Sequence, residues 1–399
     1  MRIGMMADLY KPHVSGVTMY ISLNKRFFEQ AGHEVFVFTF GDVDFVDDEP
    51  NVVRSPGIPL ADTGMYLNFR YNRRAQRLLK SMDIVHVNHP VISGRLALRY
   101  VQPLGIPIIF TNHTRYDLYA QLYTPMLPDV IGDSVVRAFL PVFCKECDLV
   151  IAPSPGLQNV LKSFGVESNV VMVPNGVNIV PFQTIENPIS RPDLGFSDEN
   201  VLLIYMGRLG PEKNLPFLLR AFGGVASAFP QIGLLVVGEG PVRDDLEDRV
   251  RLMGLTDRVR FTGLIPYDQL PRYLAAADAF VTASVTEVHP LSVIEAMAAG
   301  LPVVGIRSPG VGDTVEDGVS GLLAPEEDLA TYTAMLARMI GEVENRQRMS
   351  HQARIRARSY AIEHTGPILL DHYERLINAP TSDRRKQTSR LTGRDRNAG

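Results

Sequence analysis

The chain has 399 residues, of which 45% are hydrophobic and 21% are charged, a composition that excludes a disordered or fibrous protein and predicts two packed domains. Its 40 Lys and Arg against 44 Asp and Glu leave a formal charge of −4, so we expect no nucleic-acid partner. Two cysteines are too few for a disulfide framework, and Asp8 and Lys11 stand where a signal peptide needs an apolar core, so we expect a cytoplasmic protein.

The first half of the chain alternates apolar runs with amphipathic segments. An apolar run at 3–7 is followed by a loop containing Gly16, an apolar stripe at helical spacing over 17–31, and a β-rich run at 35–40. This order predicts a βαβ unit. Further strands of the same parallel sheet are predicted at 83–88, 106–111, 148–153 and 170–173.

A second alternating series follows a polar segment, rich in Pro, Asn, Ser and Asp, between 174 and 199. The fold class is therefore α/β, with two Rossmann-like doubly wound domains that we expect to face each other across a cleft. The strands of the second domain are predicted at 201–206, 233–237, 258–261, 279–282 and 302–306.

The predicted domain boundaries follow these changes in composition. The N-terminal domain spans 1–180, a linker spans 181–198, and the C-terminal domain spans 199–360. A helix over 361–377 is expected to cross back to the N-terminal domain. The last residues, 378–399, are polar and basic, and we predict that they form a disordered tail.

A basic amphipathic helix is predicted over residues 65–82. Apolar residues recur there at helical spacing, and the segment around its arginines holds no acid. Each basic residue near anionic lipid adds about 1 kcal/mol of binding, so this helix suits a membrane surface. A solvated face over a core stripe is the alternative. The basic residues are Arg70, Arg73, Arg74, Arg77 and Lys80.

Glu287 and Glu295 stand eight positions apart across a predicted loop-to-helix junction. Eight helical residues span about 12 Å, so the two carboxylates suit opposite ends of a long ligand such as a sugar nucleotide. Between them, a helix N-terminus at Pro290, Leu291 and Ser292 would offer backbone N–H groups to a diphosphate. The alternative is that Glu287 ends a strand and that Glu295 is an ordinary exposed residue.

Arg208 and Lys213 lie between an apolar strand and a predicted helix that Asn214 can cap. A planar guanidinium and a movable ammonium both suit diphosphate oxygens. An ordinary turn whose cations pair with neighbouring acids is the alternative. In the first domain, Gly16 links strand to helix at a point where the absence of a side chain lets phosphate approach the backbone.

Two patterns exclude other classes of protein. Gly238-Glu239-Gly240 continues without the third glycine of the dinucleotide fingerprint, which disfavours a nicotinamide dehydrogenase. Cys144 and Cys147 form one C-x-x-C at a predicted helix end. Because the sequence has no second pair to complete a zinc site, we interpret these cysteines as buried packing residues.

Taken together, these motifs resemble the family-4 retaining glycosyltransferases of the GT-B fold, over almost the whole chain to about residue 376. The resemblance implies transfer of a sugar from a nucleotide diphosphate donor with retained anomeric configuration. It also implies that no metal or other cofactor is required, which agrees with the missing Asp-x-Asp motif. The motifs that carry it are Gly16, Gly207-Arg208 with Lys213, Gly238, and Glu287 with seven residues before Glu295.

The resemblance also implies a role for each site residue. Arg208 and Lys213 would bind the diphosphate and offset charge on the leaving group. Glu287 would bind hydroxyls of the transferred sugar, and Glu295 would bind the ribose hydroxyls. The other donor-binding residues would be Gly16 against the phosphates, Gly207, Gly238, Leu264 and Ile265 at the nucleobase, and Pro290, Leu291 and Ser292.

His113 follows a predicted strand, in a segment similar to the His-Thr segments of the branch of the family that glycosylates lipids. Asn88-His89-Pro90 is similar to that branch as well. His113 would contact the donor sugar or its transition state, while a purely structural histidine is the alternative.

The expected activity is that of a hexosyltransferase that uses a UDP-glucose or GDP-mannose type of donor. The expected acceptor is a membrane lipid such as diacylglycerol, received by the N-terminal domain at the inner face of the plasma membrane. A soluble sugar or metabolite is the alternative acceptor. A nucleotide-sugar epimerase and a non-catalytic sugar-nucleotide-binding subunit are the rival classes.

Overall fold

The computed structural model describes residues 1–59, 66–118, 129–166 and 169–380. Within these ranges the chain forms two compact units. The first unit contains the chain up to Gly176 together with the residues from Ile362 onward, and the second contains Val177 to Ala361. Each unit is built on a parallel sheet with helices, as expected for doubly wound α/β domains.

The first unit has a seven-stranded parallel sheet in the order β3-β2-β1-β6-β7-β8-β9. Almost all of its strand residues are buried, because helices cover both faces of an all-parallel sheet. A short antiparallel pair, β4 with β5, lies apart from it. The strands are β1 (Arg2–Met6), β2 (Glu34–Phe40), β3 (Val52–Ser55), β4 (Ile58–Pro59), β5 (Tyr66–Leu67), β6 (Ile84–Val87), β7 (Ile108–Thr111), β8 (Leu149–Ala152) and β9 (Val170–Met172).

Helices connect these strands. The first helix starts where the sequence places polar caps: the Ser15 backbone N–H donates to Thr18 Oγ1 at 2.7 Å, and Ser15 Oγ accepts from the Thr18 backbone N–H at 3.2 Å. The helices of this part of the chain are α1 (Gly16–Gln30), α2 (Arg73–Leu79), α3 (Ile92–Tyr100), α4 (Asp129–Glu146) and α5 (Pro155–Ser163).

The second unit has a six-stranded parallel sheet in the order β12-β11-β10-β13-β14-β15. Its strands are β10 (Val201–Met206), β11 (Ile232–Val237), β12 (Val259–Gly263), β13 (Ala279–Val281), β14 (Val303–Ile306) and β15 (Gly321–Ala324). Its helices are α6 (Val180–Gln183), α7 (Leu215–Ala226), α8 (Arg243–Leu252), α9 (Leu270–Leu274), α10 (Leu291–Ala299), α11 (Pro309–Thr314), α12 (Leu329–Gly341) and α13 (Val343–Arg358).

The final helix, α14 (Ile362–Asn378), packs within the first unit. The ring of Tyr373 meets the ring of Phe28 edge-on, with the centroids 5.6 Å apart. Leu369 and Leu376 are buried in the same cluster as the β1 core. Helix α14 therefore completes the core of a unit whose strands come from the start of the chain.

The boundary between the units differs from the linker predicted at 181–198. The second unit already begins at Val177, and Ile179 and Phe182 are buried in its core. Proline and polar residues make this segment resemble a linker, but its few apolar side chains pack against α10.

The helix predicted over 65–82 is wrong in its extent. Tyr66 and Leu67 form β5, and Arg70 precedes the helix. Helix α2 starts only after Asn72, whose Oδ1 accepts from the Ala75 backbone N–H at 2.9 Å. Asn72 defines the start of the helix because its side chain satisfies an N–H of the first turn. The periodicity of apolar residues alone does not reveal this start.

The predicted capping of α7 by Asn214 is also wrong. Asn214 has a left-handed φ of 52°, and its side chain makes no capping bond to the helix. Its backbone N–H donates instead to Pro211 O, closing the preceding short turn. Asparagine adopts this conformation more readily than most residues.

Among the described residues, no helix is both long enough and apolar enough to cross a bilayer. The predicted tail lies outside the described residues from position 381 onward.

Candidate active site

The second unit has its sheet reversal between β10 and β13. In open parallel sheets, ligands bind outside the carboxyl ends of the strands at such a reversal. The loop after β10 carries Arg208 and Lys213, and the loop after β13 carries Glu287. The topology therefore brings the predicted cations and the first predicted carboxylate to one crevice.

Lys213 and Glu287 are in direct contact. Lys213 Nζ donates to Glu287 Oε1 at 2.6 Å, and each side chain is about one-fifth exposed. Hydrogen bonds also join the loop after β10 to the loop after β13, because the Glu212 carbonyl accepts from both Ser284 Oγ and Thr286 Oγ1 at 3.1 Å. These two buried hydroxyls fix the position of the ion pair, and sequence reasoning did not single them out.

Arg208 lies on the same loop, and its side chain is more exposed than that of Lys213. Its Nη1 lies 3.3 Å from Glu212 Oε1, and its side chain is 46% exposed, whereas that of Glu212 is 2% exposed. A buried carboxylate thus orients a guanidinium whose outer face is open to solvent. The Arg208 guanidinium can therefore bind an anion from solvent without a rearrangement of the core.

Gly207 and Gly238 have a packing role beside the crevice. A Cβ on Gly238 would lie 1.9 Å from the Gly207 carbonyl oxygen, and Gly238 has a φ of 143°. Only glycine allows the loops after β10 and β11 to meet this closely. Packing between these two loops is therefore enough to require glycine at position 238, and a donor-binding role is not needed to explain it.

Helix α10 points its N-terminus at the loop that carries Glu287, as the sequence predicted. The helix begins at Leu291 after Pro290, no side chain caps it, and no acid occupies its first turn. Leu291 and Ser292 are half-buried. Because the first amides of a helix have no acceptor within the helix, this end offers backbone donors and a positive dipole end to an anion.

Glu295 lies one turn further along α10 and is buried. Tyr267 donates its hydroxyl to Glu295 Oε1 at 2.6 Å. Burial raises the pKa of Glu295 to about 7, and the Tyr267 bond opposes that rise. Tyr267 follows the loop of Leu264, which is 70% exposed, and of half-buried Ile265. No sequence signal pointed to Tyr267.

The first unit has its own reversal, between β1 and β6. Gly16 opens the helix after β1, and Asn88 and His89 follow β6. A Cβ built on Gly16 meets no heavy atom within 4 Å. Open space on this side of Gly16 is what the approach of a ligand requires, although packing alone gives no reason for a glycine here.

His113 follows β7 at the same edge of the first sheet. Its Nε2 lies 3.0 Å from Asn88 Oδ1, and its ring packs edge-on against Tyr20 at 4.6 Å between centroids. Burial lowers the pKa of His113 well below its ordinary value. Asn88 Nδ2 faces the carbonyls of Met6 and His86 at 3.4 Å, so its Oδ1 is the acceptor. Nε2 of His113 therefore carries the proton, and Nδ1 is the acceptor.

A second histidine, His86, lies in β6, the strand that precedes Asn88. His86 is buried, with Nδ1 2.5 Å from the Tyr373 hydroxyl and Nε2 2.6 Å from Thr111 Oγ1. Burial lowers its pKa to about 3. Its bond to Tyr373 links β6 to α14, which makes His86 a structural histidine.

The basic residues predicted for a membrane surface are exposed. Arg73, Arg74 and Arg77 lie on α2, Arg70 precedes it and Lys80 follows it. Tyr71, Ala75 and Leu79 are buried on the opposite side. A basic face over a core stripe is therefore present, on a helix shorter than predicted.

Among the residues that the structure describes, no group of three or more His, Cys, Asp and Glu side chains could hold a metal ion. Cys144 lies in the last turn of α4 and Cys147 directly follows that helix; both are buried and neither forms a disulfide, as predicted for packing residues. Burial raises the pKa of Cys144 to about 12.

Residues 14–180 match the family described as Glycosyltransferase Family 4, and residues 186–356 match Glycosyl transferases group 1. The alpha-monoglucosyldiacylglycerol synthase of Streptococcus pneumoniae is 32% identical over 340 residues, which cover 83% of this chain and 77% of that synthase. The chain belongs to glycosyltransferase family 4. A synthase of the same name from Acholeplasma laidlawii is 28% identical to this glycosyltransferase over 337 residues, 81% of this chain and 84% of the relative.

Solved structures agree on the fold. Sucrose-phosphate synthase from Thermosynechococcus elongatus superposes with a TM-score of 0.78 at 22% identity, over 95% of this chain and all of that one. HepE from Anabaena, solved with UDP and glucose, superposes with a TM-score of 0.76 at 20% identity, over 94% of this chain and all of that one. The glycosyltransferase therefore has the predicted GT-B fold.

Proposed function

We propose that this glycosyltransferase transfers a hexose, with retention of configuration, from a UDP-glucose or GDP-mannose type of donor to a membrane lipid such as diacylglycerol. The observation that carries the proposal is the Lys213–Glu287 contact of 2.6 Å beside the exposed Arg208. Lys213 pairs with Glu287, which lies in the loop that leads into α10, and Arg208 lies on the same loop as Lys213. A diphosphate bound to a sugar needs both kinds of group within a few ångströms.

The chemistry of the site follows from charge. When the bond between sugar and diphosphate breaks, negative charge grows on the leaving oxygen. Lys213 and Arg208 offset that charge, and the positive end of the α10 dipole stabilises the leaving group further. We propose that no metal ion is required, because these groups supply the electrostatic stabilisation that a divalent ion supplies elsewhere. Activity in the presence of a chelator tests this part.

The other predicted donor-binding residues would each contact a different part of the nucleotide sugar. Glu287 would accept hydrogen bonds from hydroxyls of the transferred sugar, and Glu295 from those of the ribose. Leu264 and Ile265 would cover the nucleobase. In the first unit, the acceptor nitrogen Nδ1 of His113 would take a hydrogen bond from a sugar hydroxyl, which requires a neutral imidazole. The lowered pKa of His113 supports that state at neutral pH.

A lipid acceptor is supported by the relatives and by the surface. Two relatives carry the name alpha-monoglucosyldiacylglycerol synthase. The exposed basic residues around α2 suit anionic lipid, so we propose peripheral attachment to the inner face of the membrane. A hydroxylated soluble acceptor is the second candidate, because D-inositol 3-phosphate glycosyltransferase from Frankia alni is 28% identical over 308 residues, 74% of this chain and 75% of that enzyme.

The experiment that tests the proposal is a donor and acceptor screen with the full chain. UDP- and GDP-sugars are incubated with and without diacylglycerol-containing vesicles, and products are identified by mass and by the anomeric coupling constant in NMR. Glycosylated lipid with retained configuration is expected. Epimerised free donor would support an epimerase, and donor binding without turnover would support a non-catalytic subunit; either result contradicts the proposal.

A further inference from the structure

Asn88 is fully buried at the carboxyl edge of the first sheet, directly after β6. Its backbone N–H donates to the Met6 carbonyl at 2.9 Å, which holds the residue against β1. The two ends of its side chain face different groups. Oδ1 lies 3.0 Å from Nε2 of His113, and Nδ2 lies 3.4 Å from the carbonyls of both Met6 and His86. Asn88 therefore joins β1 and β6 to the loop after β7.

The two carbonyls fix the orientation of the Asn88 amide. An amide turned the other way would aim Oδ1 at two carbonyl oxygens, and none of these three atoms carries a proton to donate. Nδ2 therefore faces the carbonyls, and Oδ1 accepts a hydrogen bond from Nε2 of His113. The other ring nitrogen, Nδ1, has no hydrogen-bond partner within the described residues. It keeps a lone pair that a ligand can meet.

The surroundings of His113 keep its imidazole neutral. Burial lowers the pKa of His113, and the neighbouring His86 and His89 lower it further. Arg115 lies on the same loop, but its guanidinium donates to both carboxylate oxygens of Asp117, through Nε at 3.0 Å and through Nη2 at 2.7 Å. A bidentate pair of this kind holds the cation and its charge together. The imidazole therefore presents neither a proton nor a positive charge at Nδ1.

We propose that Asn88 is a positioning residue for sugar transfer, which fixes the tautomer of His113 so that Nδ1 offers the donor sugar a hydrogen-bond acceptor. The inference rests on the proposed function and adds the residue that sets the direction of this hydrogen bond. A ligand group opposite Nδ1 must bring a proton to donate, as a sugar hydroxyl does and an ionised carboxylate does not. Without the Asn88 acceptor, the imidazole can carry its proton on either nitrogen.

Two substitutions separate the two ends of the Asn88 side chain. Asn88→Asp keeps an acceptor toward His113 but loses the donor toward the carbonyls, whereas Asn88→Leu loses both. Each is expected to lower the melting temperature, so kinetics are measured well below the unfolding transitions. The assay uses UDP-glucose and GDP-mannose with diacylglycerol vesicles at pH 8, where the low pKa of His113 keeps its imidazole neutral even beside a carboxylate.

The two variants are expected to differ in donor binding. Asn88→Leu should raise the KM for the donor about tenfold, the effect of losing one hydrogen bond in a site. Asn88→Asp should stay within about twofold of wild type, because the tautomer that accepts the hydroxyl is kept. A residue that only stabilised the fold would give no such difference, since Asn88→Asp also removes the bonds to the carbonyls.

Thr111→Val is the matched control. Thr111 Oγ1 lies 2.6 Å from Nε2 of His86, so this substitution removes a hydrogen-bond partner from a buried histidine of the same cluster and leaves the Asn88–His113 bond in place. It is expected to lower the melting temperature without changing the KM for the donor or the tautomer of His113.

The tautomer itself is read without any substrate, by ¹⁵N NMR of the full chain labelled at histidine. His113→Gln assigns the two ring signals of His113. In wild type and in Asn88→Asp, Nδ1 is expected at the shift of an unprotonated ring nitrogen and Nε2 at that of a protonated one. In Asn88→Leu the two shifts should approach each other, because both tautomers become populated.

Each outcome decides the inference. A wild-type protein with the proton on Nδ1 of His113 overturns it and leaves the proposed function standing, even where neither variant folds. A donor KM raised equally in Asn88→Asp and Asn88→Leu, with wild-type transfer intact, overturns it as well. A donor KM that rises only where the tautomer changes supports it. Absence of transfer by the wild-type chain with both donors overturns the proposed function, and the inference falls with it.

Discussion

Lys213 Nζ lies 2.6 Å from Glu287 Oε1, so the cation assigned to the leaving group and the carboxylate assigned to the sugar form one pair. If both residues bind the donor as proposed, this contact couples two steps of donor binding. A diphosphate that attracts the ammonium leaves the carboxylate with a lone pair for a sugar hydroxyl, and each contact favours the other.

Lys213→Ala is therefore expected to lower kcat/KM by about 10²–10³-fold, the range for removing one preorganised stabiliser of developing charge. Because Lys213 and Glu287 form a largely buried pair, the melting temperature is expected to fall as well, so turnover is measured well below the unfolding transition of the variant. The control is Arg220→Ala, an exposed cation on α7. Near-normal turnover in Lys213→Ala contradicts the assigned role.

Gly16→Ala separates packing from ligand approach. The added methyl group meets no protein atom within 4 Å, and alanine is favoured over glycine in a helix by up to about 1 kcal/mol. The variant is expected to be at least as stable as the wild type yet to have a higher KM for the donor. Gly341→Ala on α12, where a Cβ makes only ordinary contacts beginning at 3.7 Å, should leave the donor KM unchanged. An unchanged donor KM in Gly16→Ala would remove this residue from the site.

The buried carboxylate of Glu295 predicts a pH dependence of donor binding. Burial raises its pKa to about 7 from an ordinary 4.5, and the ionised form is the stronger acceptor for ribose hydroxyls. The KM for the donor should fall as the pH rises from 6 to 8. In Tyr267→Phe, loss of the hydroxyl that lowers this pKa should move the fall to higher pH, while Tyr273→Phe on α9 should not. Superimposable pH profiles for all three proteins contradict the prediction.

The same carboxylate predicts a conflict between stability and binding. Between pH 4.5 and about 7 the folded protein holds this proton more tightly than the unfolded chain does, so its contribution to stability falls as the pH rises through that window. Glu295→Gln is expected to raise the melting temperature at pH 8 relative to wild type, with a smaller effect at pH 5, and to weaken donor binding. Calorimetry at both pH values measures the first effect, and donor titration measures the second.

The basic face around α2 predicts salt-sensitive attachment to anionic membranes. Replacing Arg70, Arg73, Arg74 and Arg77 with Gln removes about 1 kcal/mol of attraction for each residue near the surface. Sedimentation with phosphatidylglycerol vesicles should fall at least tenfold at low salt. The matched control replaces four exposed arginines of the second unit, Arg220, Arg249, Arg251 and Arg348. Equal sedimentation of both variants contradicts the prediction.

The strands with continuous apolar runs were predictable, and the short polar ones were not. Val201–Met206 was predicted with its bounds because six apolar residues stand between Asn200 and Gly207. Val52–Ser55 escaped prediction because Arg54 interrupts it, and the pairing of that arginine with Asp47 appears only in three dimensions. Burial of a charge depends on its partner, and the spacing of residues does not reveal that partner.

The candidate site shows the same division. The sequence predicts Glu287, Glu295, Arg208 and Lys213 as site residues because their spacing carries the resemblance to the family. Tyr267 was not found, since its bond to Glu295 joins segments 28 residues apart and no local pattern records it. Motifs point to the groups proposed to bind ligand, whereas the residues that orient these groups depend on tertiary contacts.

Helix α14 has a consequence for biosynthesis. The first unit takes its strands from the beginning of the chain, but the cluster around Phe28 and His86 is covered by Tyr373, which the ribosome adds hundreds of residues later. The N-terminal sheet must therefore wait, with apolar side chains uncovered, until the second unit has been synthesised. A chain stopped after Ala361 would leave this half permanently unfinished and exposed to chaperones and proteases.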